Sequence, residues 1–312
     1  MSNALICVMD DLAAIKPVKD TSFALMLEAQ RRGLPVWYAN ESDLSLSGSE
    51  CHACLRRVTL TDREQDYFNI EETTQRALGT GDLVLMRSDP PVDDNYLYAT
   101  LLLDRAQAHG ARVVNNPRAL REFNEKLSIA NFPDWIPETV VSSQARPLRE
   151  FIAQHRRAVL KPLDGMGGRG IFQCSTSDSN LNVIIETVTA DGSRPAMAQE
   201  YLPGISKGDK RVLVVNGRVV PWMLARIPGS DDFRGNLARG GRGEGQPLGE
   251  AERRVAEAVA PILVENDIAF AGLDVIDGRL TEINITSPTC VRELDAQFDV
   301  NIAAMLFDDL LE

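Results

Sequence analysis

The sequence contains no run of about 20 apolar residues, the length needed to cross a bilayer. Its longest candidate stretches, such as Leu97 to Leu103, are far shorter, which excludes a membrane helix. A positively charged leader is also missing. The first lysine is Lys16, and Asp10 and Asp11 interrupt the first apolar stretch, so no secretory signal is read and a mature chain starting near Met1 is expected. Positive charge is in deficit: 33 Lys and Arg stand against 45 Asp and Glu, a net charge of −12. Such a chain has no general attraction to nucleic acid or anionic lipid, and any anionic ligand must meet a local cluster of cations. Cysteine is sparse and odd in number. Cys7, Cys51, Cys54, Cys174 and Cys290 are scattered through 312 residues, a chain too large to need disulfide staples, and a reducing cytoplasm is expected. The stretch Cys51-His52-Ala53-Cys54 looks like half a zinc site, but His109 and His155 have no second cysteine pair beside them, so a surface loop is expected there instead.

Several motifs are absent as well. No G-x-G-x-x-G follows the first strand, so nothing argues for a dinucleotide. The Walker pattern is missing, and no G-x-S-x-G supports a covalent serine mechanism. What remains is ordinary globular material, 44% hydrophobic and 25% charged, long enough for two domains or three small ones.

Apolar runs at Ala4 to Met9, Pro35 to Ala39, Asp82 to Arg87 and Arg112 to Asn115 read as strands. Helices are expected between them, one from Ser22 to Arg32 capped by Thr21 and stopped by Gly33, another from Asn95 to Ala108 stopped by Gly110. This alternation predicts an α/β unit with right-handed crossovers and a largely parallel sheet. Asn116-Pro117 reads as a cap with proline in the first helical position, opening a helix that carries Leu120, Phe123 and Leu127 on one face and Lys126 beside them. Beyond it a small α+β unit is expected. It has a strand at Thr139 to Val141, a helix at Leu148 to His155, and strands Ala158 to Pro162 and Gly170 to Cys174. Strands follow at Met197 to Tyr201, Arg211 to Asn216 and Arg218 to Leu224, then a helix from Glu250 to Glu265, a hairpin and a C-terminal helix.

Three stretches carry chemistry. Lys161 to Gly170 concentrates four glycines between two strands, and glycines let backbone N–H groups turn toward an anion with no Cβ in the way. With strand rather than helix after it, this is a flap over phosphates. Next, Asp274, Glu282 and Asn284 sit on a hairpin marked by Asp277-Gly278. A strand period of two puts Glu282 and Asn284 on one face. A three-residue loop with Gly278 left-handed is expected, because a two-residue loop would turn Asp274 away. Hard oxygen donors without His or Cys suit Mg²⁺ held partly by nucleotide phosphates. The third stretch, Arg226 to Gly243, has little apolar periodicity and four arginines. It reads as a closing lid that neutralises developing negative charge.

These residues, with Asp20 to Ala24, Leu27 to Gly33, Met86 to Pro91, Asn124 to Leu127, Gly208 to Val215, Arg234 to Ala238 and Leu280 to Cys290, form a collinear set that resembles the bacterial glutathione synthetase family of the ATP-grasp superfamily. The resemblance implies an ATP-grasp fold with three parts. These are an N-terminal Rossmann-like domain over 1–122, a central lid over 123–199, and a catalytic unit over 200–312 with an active-site loop at 227–243. It implies a ligase joining glycine to γ-glutamylcysteine through an acyl phosphate, with ATP as co-substrate, Mg²⁺ or alternatively Mn²⁺ as cofactor, and a homotetramer as the usual assembly. Lys126 and Lys161 would contact ATP phosphates under a flap of Asp164, Gly165, Met166, Gly167 and Gly168. Glu200, Tyr201 and Leu202 would line the adenine site, and Asp209 would approach the ribose. Asp274, Glu282 and Asn284 would hold the metal. Arg226, Arg234 and Arg211 would serve the reacting carboxylate, and Ser22, Arg87, Ser287, Pro288 and Thr289 the dipeptide. Ser88, Glu200 and Arg169-Gly170 depart from the family pattern, which has Lys, Asn and Ala-Ser there. Three competing readings stand beside this one: a ligase for another carboxylate or amine, a kinase, and a nucleotide-binding regulator without catalysis.

Overall fold

The structure is a computed structural model and describes residues 4–229, 232, 234, 235, 237 and 240–311. Ser230, Asp231, Phe233, Asn236, Ala238 and Arg239 of the expected lid lie outside the described residues.

The chain builds three sheets, one after another. The first has seven strands. β1 (Ala4–Val8), β2 (Val36–Ala39), β6 (Asp82–Met86) and β7 (Arg112–Val114) run parallel, with β1 at the centre between β2 and β6. α1 (Thr21–Arg31) and α2 (Asp94–Ala108) make crossovers, as apolar runs broken by cap and glycine signals require. Asp20, not Thr21, caps α1: its carboxylate accepts from the Phe23 amide at 2.7 Å. Gly33 and Gly110 take φ of +81° and +94° where the helices stop.

The parallel reading covers only this half. β3 (Leu44–Ser47), β4 (Glu50–Leu60) and β5 (Phe68–Ala77) add an antiparallel extension. Cys51-His52-Ala53-Cys54 therefore lies on a strand rather than in a loop, with Cys51 and Ala53 fully buried. All five cysteines are free.

α3 (Pro117–Glu122) starts as expected, with Asn116 accepting from the Arg118 amide. It ends too early to carry Leu127, which is 41% exposed, and Lys126 sits in the connection after it. The second sheet, order β10-β9-β11-β8, is antiparallel and formed by β8 (Thr139–Ser142), β9 (Arg157–Pro162), β10 (Phe172–Ser175) and β11 (Ala196–Glu200). α4 (Ala145–His155) and α5 (Leu181–Thr189) pack on it around Leu148, Ile152, Leu160 and Ile185.

The third sheet is also antiparallel, order β14-β13-β12-β15-β16. Its strands are β12 (Asp209–Val215), β13 (Arg218–Ile227), β14 (Arg242–Pro247), β15 (Phe270–Ile276) and β16 (Arg279–Asn284). α6 (Glu250–Glu265) covers it, and α7 (Val291–Phe298) and α8 (Ile302–Leu310) close the chain. β14 begins inside the stretch read as lid. The hairpin loop has two residues rather than three, because Ile276 faces Arg279 and both Asp277 and Gly278 are left-handed. A bulge at Thr281 then restores the register, so Asp274 still faces Glu282.

α8 returns to the first sheet and packs on α1. Here Glu28 gathers Arg31, Arg32 and Asn301 at 2.6–3.0 Å. Burial pushes its carboxyl up, but these donors outweigh that and bring it down to about 2. A depressed acid stabilises the fold above its unfolded pKa of about 4.5 and loses that contribution as pH falls toward 2. Glu28→Gln is therefore expected to lower stability at pH 7 by about 1–3 kcal/mol. Denaturant titrations should show the gap closing between pH 4.5 and 2, and a gap independent of pH would contradict the pairing.

Candidate active site

The antiparallel register of the third sheet places charges opposite one another. Asp209 faces Arg226 across β12 and β13, Arg211 faces Asp274 across β12 and β15, and Asp274 faces Glu282 across β15 and β16. The side chains close on each other. Arg211 donates to Asp274 through Nε at 2.7 Å and Nη2 at 3.3 Å, Arg226 Nη2 lies 2.8 Å from the same carboxylate, and Arg226 also pairs closely with Asp209. Arg211, Arg226 and Asp274 are only 4–5% exposed. Gly272 is what lets Arg211 lie flat, since a Cβ there would come within 2.9 Å of the Arg211 Cδ.

Burial alone would raise the Asp274 carboxyl, but Arg211 and Arg226 hold it well below the usual range. Asp209 is buried against the same arginine and in the field of Asp274, and is pushed up to about 6. Arg226, buried between two carboxylates, stays protonated.

Two lysines reach Glu282 from outside this sheet. Lys161, at the end of β9, brings its Nζ 3.4 Å from Glu282 Oε1 and 3.2 Å from the Thr281 carbonyl. Lys126 Nζ lies 3.8 Å from the same oxygen and donates to the Gly165 carbonyl at 2.5 Å. Burial is the main reason that Lys161 is shifted downward, and Lys126 adds to it while Glu282 opposes.

Two cavities meet at Asp274 and Glu282. One, about 100 Å³, lies between the second and third sheets and contains Lys161, Glu200, Tyr201, Leu202, Asp209 and Arg234. Val159, Ile205 and Ile276 make its apolar walls, and Arg157 stacks 3.6 Å from the Tyr201 ring centre. The other, about 210 Å³, takes Arg211, Arg226, Asn284, Ser287, Pro288 and Thr289 from the third sheet and its C-terminal loop. Flap residues Gly165, Met166, Gly167 and Gly168 roof it. Arg234 joins lid to flap: held by Asp232, it donates to the Gly168 carbonyl at 2.6 Å.

Three expected contacts lie elsewhere. Asp164 is on the outer side of the flap, 3.3 Å from Arg194. Arg87 is 6% exposed and Ser22 is 4% exposed. Arg87 donates to Ser22 Oγ at 3.0 Å and to the Pro288 carbonyl at 2.8 Å. It thus bolts β6 to the Ser287–Thr289 loop rather than facing either cavity.

Glu125 was given no role by the sequence. Its carboxylate accepts from the amides of Ile285 and Thr286 and from Thr286 Oγ1 at 2.8–3.1 Å, and its carbonyl accepts from Ile283. It therefore fixes the strand that bears Glu282 and Asn284. Nothing but its place beside Lys126 could have flagged it. The apolar walls Val159, Ile205 and Ile276 look like any core residues in sequence.

A three-sheet arrangement with two lysines converging on an acidic hairpin defines an ATP-grasp ligase. Solved structures agree on the fold. D-cycloserine synthetase DcsG superposes with a TM-score of 0.68 at 16% identity, covering 98% of each chain. ATP-grasp ligase PsnB, complexed with precursor peptide PsnA2 and AMPPNP, gives 0.63 at 18% identity over 99% of this chain and 97% of its own. The family models for the prokaryotic glutathione synthetase N-terminal domain and ATP-grasp domain match residues 4–121 and 125–299. The glutathione synthetase of Xanthomonas campestris pv. campestris is 51% identical over 308 residues, 99% of this chain and 98% of its own. That of Vibrio parahaemolyticus is 48% identical over 301 residues, 96% and 95% of the two chains. The chain belongs to the prokaryotic glutathione synthetase family.

Removing one member of the buried charge cluster leaves the others uncompensated. Asp274→Ala is expected to destabilise the ligand-free protein by about 3–5 kcal/mol in urea unfolding. A loss under about 1 kcal/mol would show that the arginines do not depend on it.

Proposed function

We propose that the protein ligates glycine to the cysteinyl carboxylate of γ-glutamylcysteine, converting ATP to ADP and phosphate. The observation that carries this reading is the meeting of two cavities at Asp274 and Glu282, one apolar-walled and lysine-bearing, the other lined by arginines. Family membership over nearly the whole chain supports the choice of substrates. The proposed division into 1–122, 123–199 and 200–312 is supported by the first and third sheets each falling within one segment, and by the second doing so but for Glu200 at the end of β11.

The adenine lies between Val159, Ile205 and Ile276, with Glu200, Tyr201 and Leu202 along its edge and Asp209 toward the ribose. Lys126 and Lys161 take the phosphates while Gly165 to Gly168 cover them. Asp274, Glu282 and Asn284 fit Mg²⁺, and Mn²⁺ by the same chemistry, because they offer two carboxylates and one amide oxygen and neither His nor Cys. The Asn284 nitrogen is already tied to the Gly272 carbonyl, which commits its oxygen to the ligand role. When bound, the ion supplies charge that offsets the terminal phosphates.

Arg211 and Arg226 draw the cysteinyl carboxylate toward the γ-phosphate. One carboxylate oxygen forms a bond to phosphorus as the bond to ADP breaks. The glycine amine then attacks the acyl carbon, phosphate leaves, and the amine proton passes to solvent. Arg226 and Arg234 stabilise the charge on the intermediate, and Ser287, Pro288 and Thr289 shape the pocket around the dipeptide. Positioning supplies much of the acceleration. The free cysteines accord with a reducing cytoplasm, and no helix among the described residues is long and apolar enough to cross a membrane.

The test is ADP release with γ-glutamylcysteine, adding and omitting glycine. Sustained turnover is expected only with both, and turnover indifferent to the amine would favour a kinase. Glu282→Gln should lower turnover by about 10³-fold or more while leaving a cooperative fold. A variant that keeps most of its activity would contradict the metal role.

A further inference from the structure

The acidic hairpin carries more than Asp274, Glu282 and Asn284. Its last residue before the turn, Ile276, walls the apolar cavity on one side, and Ile205 walls it from another segment. Ile205 sits in a short 3-10 turn, Pro203–Lys207, that continues from Glu200, Tyr201 and Leu202 along the same cavity. Its own hydrogen bonds run from the Ile205 amide to the Leu202 carbonyl at 3.2 Å and from the Gly208 amide to the Ile205 carbonyl at 2.9 Å. A turn this short has poorer hydrogen-bond geometry than an α-helix, so its place depends on contacts from outside.

One such contact comes from the hairpin tip. Asp277, left-handed at φ +51°, turns its carboxylate onto the Pro203–Lys207 turn, where the Gly204 amide donates to Oδ2 at 2.7 Å. Gly204 is what admits the carboxylate. A Cβ at that position would overlap it, since the three atoms nearest to that Cβ are Oδ1, Cγ and Oδ2 of Asp277. The same tip is fastened on its other strand to the segment before Pro137, which also lines the cavity. Arg279 Nη1 donates to the Asp134 carbonyl at 3.0 Å, and the Leu280 amide donates to the Trp135 carbonyl at 2.8 Å. Ile276, the Ile205 turn and the Pro137 segment are thus all located by one hairpin tip, on the strands that bear Asp274 and Glu282.

We propose that Asp277 is a positioning residue for the nucleotide: by holding the Gly204 amide it sets Ile205 opposite Ile276 and keeps the adenine slot in register with the metal ligands of the same hairpin. The inference rests on the placement of ATP proposed above and adds what ties its base end to its phosphate end. A planar base gains dispersion contact only where walls meet its faces, and a released Pro203–Lys207 turn leaves one face to water. Asp277 acts through Gly204 and touches no substrate. Its loss therefore weakens nucleotide capture and leaves the reacting groups where they were.

The test is steady-state kinetics, varying ATP, γ-glutamylcysteine and glycine in turn, with calorimetric titration of ADP. Asp277→Ala should raise the KM for ATP and the Kd for ADP by about 5- to 10-fold, the loss of one hydrogen bond. Its kcat and its KM values for dipeptide and glycine should stay within about 2-fold of wild type, the signature of lost uniform binding. Asp277→Asn keeps an acceptor oxygen and should remain near wild type. Gly204→Ala should reproduce Asp277→Ala, and because the added Cβ acts on that carboxylate, the double variant should lose no more than either single one. The inference would fall, with the placement of ATP still standing, if Asp277→Ala lowered kcat, moved all three KM values alike or moved none. It would fall equally if Asp277→Asn failed as badly as Asp277→Ala, or if the two single losses added. A wild type to which ADP does not bind would overturn the placement of ATP and this inference with it.

Discussion

A charge cannot be buried alone, and the centre of this molecule is arranged around that constraint. Asp274 lies in the interior only because Arg211 reaches it from the adjacent strand β12 and Arg226 from β13 beyond that, and Arg226 in turn holds Asp209. Glu282 has Lys161 and Lys126 at its Oε1. Each anion is thus matched before any substrate arrives. Replacing these partners by phosphate, metal and carboxylate is an exchange of one set of pairs for another, made where water is scarce and fields are strong.

The exchange depends on parts from different sheets. Arg211, Asp209, Arg226, Asp274 and Glu282 belong to one antiparallel register. Lys161 comes from the second sheet and Lys126 from the connection leading into it. Glu125 binds that connection to the end of β16 through its carboxylate and its carbonyl. Arg87 binds the first sheet to the Ser287–Thr289 loop. Any motion of the flap or second sheet therefore changes which cation faces Glu282 without disturbing the Asp274 cluster. Sites that must first bind and then react need this separation of a fixed part from a moving one.

Much of this was legible in the sequence and some was not, for reasons visible in particular residues. α6 begins at Glu250 and ends at Glu265 as its periodicity requires, and Asn116-Pro117 caps α3. β4 was missed because its buried positions are Cys51, Ala53 and Leu55, too small and mixed to read as a strand, and β5 because it is a polar, exposed edge. β14 was hidden by its two glycines, Gly243 and Gly245, and exists because β13 offers it a ladder. The acidic hairpin was read correctly for a wrong reason: the bulge at Thr281, not a longer turn, keeps Asp274 opposite Glu282. Sequence spacing named the residue types at the centre. It could not say that Arg211 and Arg226 would be spoken for by Asp274, or that Arg87 would be a structural bolt, because both depend on register between distant strands.

The central claim is that a carboxylate and a terminal phosphate are brought into direct contact. Labelling both oxygens of the cysteinyl carboxylate of γ-glutamylcysteine with ¹⁸O tests it directly, by mass analysis of the phosphate released during turnover with glycine. The account predicts that one labelled oxygen appears in each phosphate, carried there through the acyl phosphate. Phosphate free of label would mean that the carboxylate never attacked phosphorus.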